Sequence, residues 1–210
     1  MKGHFKVTCS LFILLFSFPL LAQRNLPDPD KLRNSGTHPS DCNRATPENI
    51  VNDSVFPGSK FLLTDDSLNG YNWVNFKNGD KLLIINCGCS DFTVVFQFTT
   101  SRFSADTTDY KYWYPRAAEL LAEAAPGITM EVPFKIKKGA DTLSSFIKTY
   151  PDSLKLSQVI YYYKGDPPDE NESSDDIASY YAMLPHFFIS RIEKLTVKEY
   201  MVEITFTIGL

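Results

Sequence analysis

The chain has 210 residues, with 21 lysine and arginine side chains against 25 aspartate and glutamate side chains, and a formal net charge of −4. This acidic balance argues against nucleic acid or an anionic membrane as the main partner, because both require a basic surface. The 16 phenylalanines and 11 tyrosines favour strands over a helical bundle and argue against a disordered chain.

The first 22 residues have the three parts of a secretory signal peptide. Lys2 and Lys6 give a positive start, residues 7–21 are almost wholly apolar or small, and Ala22 precedes a polar segment. A buried N-terminal helix is the alternative, but no polar face interrupts the run. The run is also shorter than the roughly 20 residues of a membrane-spanning helix. We therefore predict that residues 1–22 are removed, that the protein is exported to the periplasm or the extracellular space, and that it has no membrane span.

Residues 23–50 are polar and are interrupted by prolines and a glycine, which predicts an extended N-terminal arm. We interpret residues 51–210 as a single β-rich domain, since no internal repeat and no interdomain linker divides them. Short strands are predicted at 59–63 and 71–76, with a turn at Asn78-Gly79 after the second.

The clearest predicted element is a β-hairpin formed by residues 81–87 and 92–99. Residues 81–87 are a nearly continuous apolar run, which is typical of a strand covered on both faces. Residues 92–99 alternate, so that the apolar side chains point to one face and the polar ones to the other, with Val95 as the exception. The apolar set is Phe92, Val94, Phe96 and Phe98, and the polar set is Thr93, Gln97 and Thr99.

Helical spacing of apolar residues predicts a short helix over 114–125, with Pro115 in its first turn and Pro126-Gly127 after its end. Residues 129–137 are predicted to return to a strand, and 141–150 to form a second short helix. Further strands are predicted at 158–163, 185–196 and 200–208, the last with Tyr200, Val202, Ile204, Phe206 and Ile208 on one face.

These elements predict a mainly β protein with eight or nine short strands and one or two short helices. An antiparallel β-sandwich is the first architecture that they favour, and a strongly curved sheet packed against a helix is the alternative.

Three cysteines, Cys42, Cys87 and Cys89, follow the predicted signal peptide. In an oxidising compartment we expect one disulfide between Cys42 and either Cys87 or Cys89, which leaves one thiol over. Such a bridge closes a loop of about 45 residues and stabilises the fold by roughly 3–4 kcal/mol. A dithiol redox pair at Cys87 and Cys89 is the weaker interpretation, because a single glycine separates the two thiols.

Aromatic residues cluster just ahead of the predicted first helix, at Tyr110, Tyr112, Trp113 and Tyr114. Exposed tyrosine and tryptophan rings bind sugars and protein surfaces, since they bury a large area at a low entropic cost. We take these four residues as the candidate ligand-binding residues, although alternate members could instead fill the core. Six carboxylates between Gly165 and Asp176 are best interpreted as a solvated loop.

No catalytic, metal-binding or cofactor-binding motif stands out in the sequence, and we expect no cofactor. The leading hypothesis is an exported, non-enzymatic binding module whose partner is an unknown protein or a carbohydrate. One alternative is a carboxylate-dependent hydrolase that acts on carbohydrate. The other is a structural or inhibitory partner of another protein.

Overall fold

A computed structural model describes residues 46–65, 67–87, 92–130, 135–162 and 184–208. It has seven strands and two α-helices in this part of the chain. In chain order they are β1 (Lys60–Leu63), β2 (Gly70–Asn75), β3 (Lys81–Cys87), β4 (Phe92–Thr100), α1 (Tyr110–Ala124), α2 (Ile136–Thr149), β5 (Ile160–Tyr161), β6 (His186–Lys194) and β7 (Tyr200–Ile208).

The seven strands form one antiparallel sheet in the order β1-β2-β3-β4-β7-β6-β5. Strands β1 to β4 and strands β5 to β7 are two meanders, and the pairing of β4 with β7 joins them. Both helices lie in the connection between the two meanders. The mainly β class is confirmed, and the single sheet with helices is consistent with the curved-sheet alternative rather than with two stacked sheets.

The predicted turn at Asn78-Gly79 is confirmed and has a specific form. The amide of Phe76 donates to the carbonyl of Asp80 at 2.9 Å, and the amide of Gly79 donates to the carbonyl of Phe76 at 3.0 Å. Gly79 has a φ of +91°, which glycine adopts without strain. The hairpin β2–β3 therefore turns through a three-residue loop with glycine at its left-handed position.

One face of the sheet, which we call the first face, packs against α1 and α2 and forms the main core. Six of the alternating side chains of β4 and β7 that the sequence predicted to share a face are buried there. Leu120 and Leu121 from α1 and Leu143 from α2 are fully buried against them. The strand residues concerned are Val94, Phe96, Phe98, Val202, Ile204 and Phe206.

A glycine allows helix α2 to approach the sheet closely at one point. A Cβ atom at Gly139 would lie 2.7 Å from the hydroxyl oxygen of Tyr162 and 3.0 Å from the ring of Phe206. A larger residue at position 139 would therefore separate the helix from the sheet, which explains the glycine inside an otherwise regular helix.

Several predicted elements differ from the structure. Helix α1 begins at Tyr110 rather than at 114, because the Asp109 side chain caps it by accepting a hydrogen bond from the amide of Tyr112 at 3.1 Å. Pro115 consequently lies inside the helix and not in its first turn. The strand predicted over 129–137 is wrong at its end, since α2 begins at Ile136; residues 131–134 lie outside the described part.

The apolar residues of α2 account for that correction. Ile136, Ala140 and Leu143 are buried at helical spacing, so the chain from Ile136 onward forms a helix with one apolar face. The strand predicted at 158–163 is reduced to the two residues of β5 within the described range. No helix among the described residues is long and apolar enough to cross a membrane.

Candidate functional site

The candidate ligand-binding stretch 110–114 forms the first turns of α1, and two of its four rings are core residues. Trp113 and Tyr114 have no exposed surface. The indole nitrogen of Trp113 donates to the carbonyl of Asp106 at 2.8 Å, and the Tyr114 hydroxyl donates to the carbonyl of Lys155 at 2.6 Å. Burial raises the pKa of Tyr114 to about 12. These two rings hold α1 in place and offer no contact surface to a ligand.

Tyr110 and Tyr112 remain partly exposed. The Tyr112 hydroxyl accepts a hydrogen bond from the amide of Ser104 at 3.2 Å, and its ring lies edge-on to Trp113 with the centroids 5.3 Å apart. The guanidinium of Arg116 lies over the same ring at 5.4 Å. The exposed part of the predicted site is therefore two rings on one helical turn, and its ligand-binding role stays a prediction.

The predicted disulfide falls largely on residues outside the described part, since Cys42 and Cys89 are not within it and only the backbone of Cys87 is described. The beginning of the described chain, at Pro47, lies close to the strand that ends at Cys87. A Cβ atom at Gly70 would lie 2.8 Å from the Cβ of Pro47, and Gly70 is the cross-strand partner of Asn86. The disulfide stays a prediction. The acidic loop between Gly165 and Asp176 also lies outside the described residues.

The opposite side of the sheet, which we call the second face, carries a different set of side chains. Leu83 and Met201 are buried but do not belong to the core under the helices, because their side chains alternate with core residues of β3 and β7. Trp73, Val95 and Phe188 point to this same face and are partly exposed. The second face is therefore a second packed surface, and the two described helices do not cover it.

One row of cross-strand partners crosses six strands of the second face. We call it the central row, and it consists of Lys60 (β1), Trp73 (β2), Leu83 (β3), Gln97 (β4), Glu203 (β7) and Arg191 (β6). Neighbouring strands lie about 4.8 Å apart, so the central row spans about 24 Å from its first to its last strand. It begins with an exposed lysine beside a tryptophan, and it has an apolar middle and a polar end.

The polar end is a hydrogen-bonded group centred on the carboxylate of Glu203. Oε2 of Glu203 accepts from Nε2 of Gln97 at 2.7 Å and from Nη2 of Arg191 at 2.8 Å. Oε1 accepts from the hydroxyl of Ser190 at 2.7 Å, and the Thr205 hydroxyl donates to Ser190 in turn at 3.1 Å. Each side chain thus fixes the orientation of its neighbour.

A β-bulge in β6 allows two consecutive residues to reach Glu203. The register between β6 and β7 shifts between Ile189 and Arg191, so Ser190 is the extra residue. Ile189 and Ile192 on either side belong to the core, whereas Ser190 and Arg191 both contact Glu203 on the second face. Bulges of this kind redirect side chains and are frequent next to binding and active sites.

The hydrogen bonds determine the charge state of the group. Burial by itself raises the pKa of Glu203, but the hydrogen bonds from Ser190, Arg191 and Gln97 outweigh it and hold the pKa below the ordinary value for glutamate. Arg191 also lies 3.6 Å from Oε2 of Glu193. Glu203 is therefore an anion at neutral pH, paired with a guanidinium, and accepts hydrogen bonds rather than supplying a proton.

A second row runs beside the central row and is mostly apolar. It consists of Tyr71, Ile85, Val95, Thr205 and Phe188, each the cross-strand partner of the next. Tyr71 stacks on Trp73 with the centroids 5.9 Å apart and the ring planes at 28°. The indole nitrogen of Trp73 has no acceptor among the described residues. The two rows together form a strip with paired aromatic rings at the β2 end.

The alternation along β4 predicts from the sequence that Gln97 points away from the core. Its partner Glu203 on β7 cannot be recognised from the sequence, and neither can the β6 residues that bind Glu203. The register that joins Gln97 to Glu203 connects residues 106 positions apart, and no local pattern encodes it. The bulge at Ser190 likewise has no glycine or proline to mark it.

Other clusters in the described part of the chain are less promising. No group of three or more histidine, cysteine, aspartate or glutamate side chains there is arranged to hold a metal ion. His186 is buried, and its Nδ1 lies 2.9 Å from the carbonyl of Leu184.

No protein-family model matches this chain, and comparisons with curated proteins and with solved structures also returned no match.

Proposed function

We propose that this protein is an exported, non-enzymatic binding module that uses the second face of its sheet as the contact surface. The observation that carries the proposal is the central row, where a partly exposed tryptophan, a buried leucine and a fixed polar group follow one another across five strands.

The composition of the strip supports binding. The centres of protein interfaces are rich in aromatic residues and arginine and poor in other charged residues. Trp73, Phe188 and Arg191 bring two aromatic rings and an arginine together on the second face. The hydrogen bonds of Glu203 hold the polar side chains in one arrangement before any ligand arrives, so little rotamer entropy is lost on binding.

The charge state of the polar group favours binding over hydrolysis. A hydrolase that uses two carboxylates needs one of them protonated near neutral pH, with a raised pKa. The pKa of Glu203 is shifted in the opposite direction. The hydrolase and the inhibitory-partner hypotheses remain untested predictions.

Co-sedimentation with the insoluble cell-envelope fraction of the native host tests the proposal. The Val95→Arg variant places a long cation in the middle of the strip, where Val95 is partly exposed and the guanidinium can reach solvent. We expect the unaltered mature protein to sediment with the envelope and the V95R variant to remain in the supernatant.

Ser145→Arg is the matched control, because Ser145 is exposed on α2 at the other side of the sheet. It adds the same charge and should sediment like the unaltered protein. Circular dichroism and thermal unfolding verify that both variants fold. Equal sedimentation of V95R and the unaltered protein, or no sedimentation of either, would contradict the proposed role.

A further inference from the structure

We infer that the partner of the second face is a second copy of this chain, packed face to face around a twofold axis that runs along β4. This inference rests on the proposed function and names the partner of the same surface. The pair adds a second layer to the sheet, so that two sheets enclose one apolar interior.

The middle of the second face is apolar on a side of the sheet that the two described helices do not cover. Leu83 has no exposed surface, so the contact area comes from the side chains around it. Five of these are apolar or aromatic, are partly exposed and lie on four strands: Tyr71, Trp73, Ile85, Val95 and Phe188. A continuous surface of this kind is typical of a protein interface.

The charged side chains of the second face are separated by sign across the sheet. Lys60 on β1 and Lys81 on β3 are exposed, and strands β1, β2 and β3 contain no aspartate or glutamate. The carboxylates of Glu193 and Glu203 lie on β6 and β7, where they outnumber the guanidinium of Arg191. Strand β4, between the two sides, has no charged residue. The β1–β3 side is therefore positive and the β6–β7 side negative.

This separation distinguishes two ways of packing identical sheets face to face with aligned strands. A twofold axis across the strands places each strand on its own copy. The lysines then lie over strands without a carboxylate, and Glu203 lies over the strand that carries the partner's Glu203, which is unfavourable. A twofold axis along β4 reverses the strand order, so β3 lies on the partner's β7 and β2 on the partner's β6. The positive side of each copy then meets the negative side of the other.

The axis along β4 also brings complementary side chains within reach of each other. Trp73 and Arg191 share the central row and lie two strands from β4 on opposite sides. Trp73 therefore faces the partner's Arg191, whose side chain is 42% exposed, and a guanidinium over an indole ring is favourable. Lys81 faces the partner's Met201 and lies beside the partner's Glu193, the cross-strand neighbour of that methionine. Packed sheets lie about 10 Å apart, a gap that two long side chains can bridge.

The size of the second face is sufficient for a stable dimer. Its central row spans about 24 Å, and strands of seven to nine residues extend at least about 24 Å in the other direction. Each copy therefore offers about 600 Å². A pair buries about 1,200 Å² in total, which is the lower limit for specific interfaces between proteins.

Sedimentation equilibrium of the purified, processed protein tests the pairing. We expect twice the molar mass of one chain, and a shift towards one chain on dilution. Lys81→Glu places a carboxylate beside the partner's Glu193, and Glu193→Lys places a cation beside the partner's Lys81. Each variant alone should therefore dimerise at least tenfold more weakly. Lys148→Glu, at an exposed position of α2, is the matched control and should dimerise like the unaltered protein.

A mixture of the two variants provides a test that a poorly folded variant cannot imitate. In a mixed pair, both contacts between positions 81 and 193 again join opposite charges, so K81E and E193K together should dimerise like the unaltered protein. Circular dichroism verifies that each variant folds. An unaltered protein that is monomeric at every concentration overturns the inference. A K81E variant that dimerises normally overturns it as well, and so does a mixture that stays monomeric.

Purified protein in solution contains no envelope, so this measurement separates the inference from the proposed function. A pair presents its other surfaces twice, which increases retention in the envelope through avidity, and V95R loses that gain. Dimers in solution without sedimentation contradict the envelope role and leave the pairing intact. A monomer whose sedimentation is lost in V95R overturns the pairing, and the binding role then stands with a different partner.

Discussion

The carboxylate of Glu203 holds the polar side chains of the second face in one arrangement. It is the only hydrogen-bond partner that Gln97, Ser190 and Arg191 share among the described residues, and 15% of its side chain is exposed. Replacing it by glutamine keeps the shape but removes the charge, and it places an amide donor beside the donors of Gln97 or Arg191. The consequence for stability depends on pH.

The pH dependence follows from the lowered pKa of Glu203. The folded pKa lies below that of the unfolded chain, which is about 4.3. Its ionisation therefore stabilises the fold fully above that value, and this contribution is lost as the pH falls through it towards the folded pKa. We expect the difference in the free energy of unfolding between the unaltered protein and Glu203→Gln to be largest near pH 7 and to shrink towards pH 3, as measured by urea denaturation.

Glu193→Gln is the control for this measurement, because Glu193 is 33% exposed and lies at a longer distance from Arg191. Its replacement should lower the free energy of unfolding at pH 7 by less than Glu203→Gln does. A Glu203→Gln difference that stays constant over this range would contradict the lowered pKa.

At the scale of elements, an arginine connects the β2–β3 turn to helix α1. Nε of Arg102 donates to Oδ2 of Asp80 at 2.7 Å, and its two terminal nitrogens donate to Glu123 at 2.9 and 2.8 Å. Only 1% of the Asp80 side chain is exposed. Asp80 follows the Asn78-Gly79 turn, so the ion pair holds the end of that hairpin against the helix.

Removal of Arg102 should destabilise the fold, because it leaves the Asp80 carboxylate buried without a counter-charge. We expect Arg102→Ala to lower the free energy of unfolding by roughly 3 kcal/mol. Chemical denaturation monitored by circular dichroism measures this loss.

Lys111→Ala is the matched control, since the pair between Lys111 and Asp152 has a similar distance of 2.8 Å but joins two exposed side chains. Solvent screens such a pair, so its removal should leave stability unchanged within the error of the measurement. Equal effects of R102A and K111A would contradict a special role for the Asp80 pair.

Export and disulfide formation are properties of the whole molecule, and both stay predictions. Intact mass of the protein recovered outside the cytoplasm should show the loss of about 22 residues at the N-terminus. A protein that retains Met1 would contradict export through a cleaved signal.

Thiol counting on the same material tests the disulfide. Under denaturing conditions without reductant we expect one free thiol per processed chain, because one of Cys42, Cys87 and Cys89 has no partner when the other two are bridged. Three free thiols would contradict the bridge, and two chains linked by reducible disulfides would indicate an intermolecular one.

The sequence by itself determined most of the strands, the turn between β2 and β3 and much of the core. Alternation along residues 92–99 and 200–208 predicts which side chains are buried, because a strand places every second residue on the same face. The Asn-Gly turn and the helical spacing of Ala117 and Leu121 are local signals of the same kind. These features depend on residues a few positions apart, so they can be read directly from the chain.

Only the tertiary structure decided that β4 pairs with β7 and which aromatic rings remain at the surface. The packing of α1 buried Trp113 and Tyr114, which share a cluster with partly exposed Tyr110 and Tyr112 in the sequence. The pairing of β4 with β7 and the bulge at Ser190 brought Gln97, Glu203 and Arg191 together. Gln97 and Glu203 lie 106 positions apart, and the register that joins them follows from how the whole core packs rather than from any local pattern.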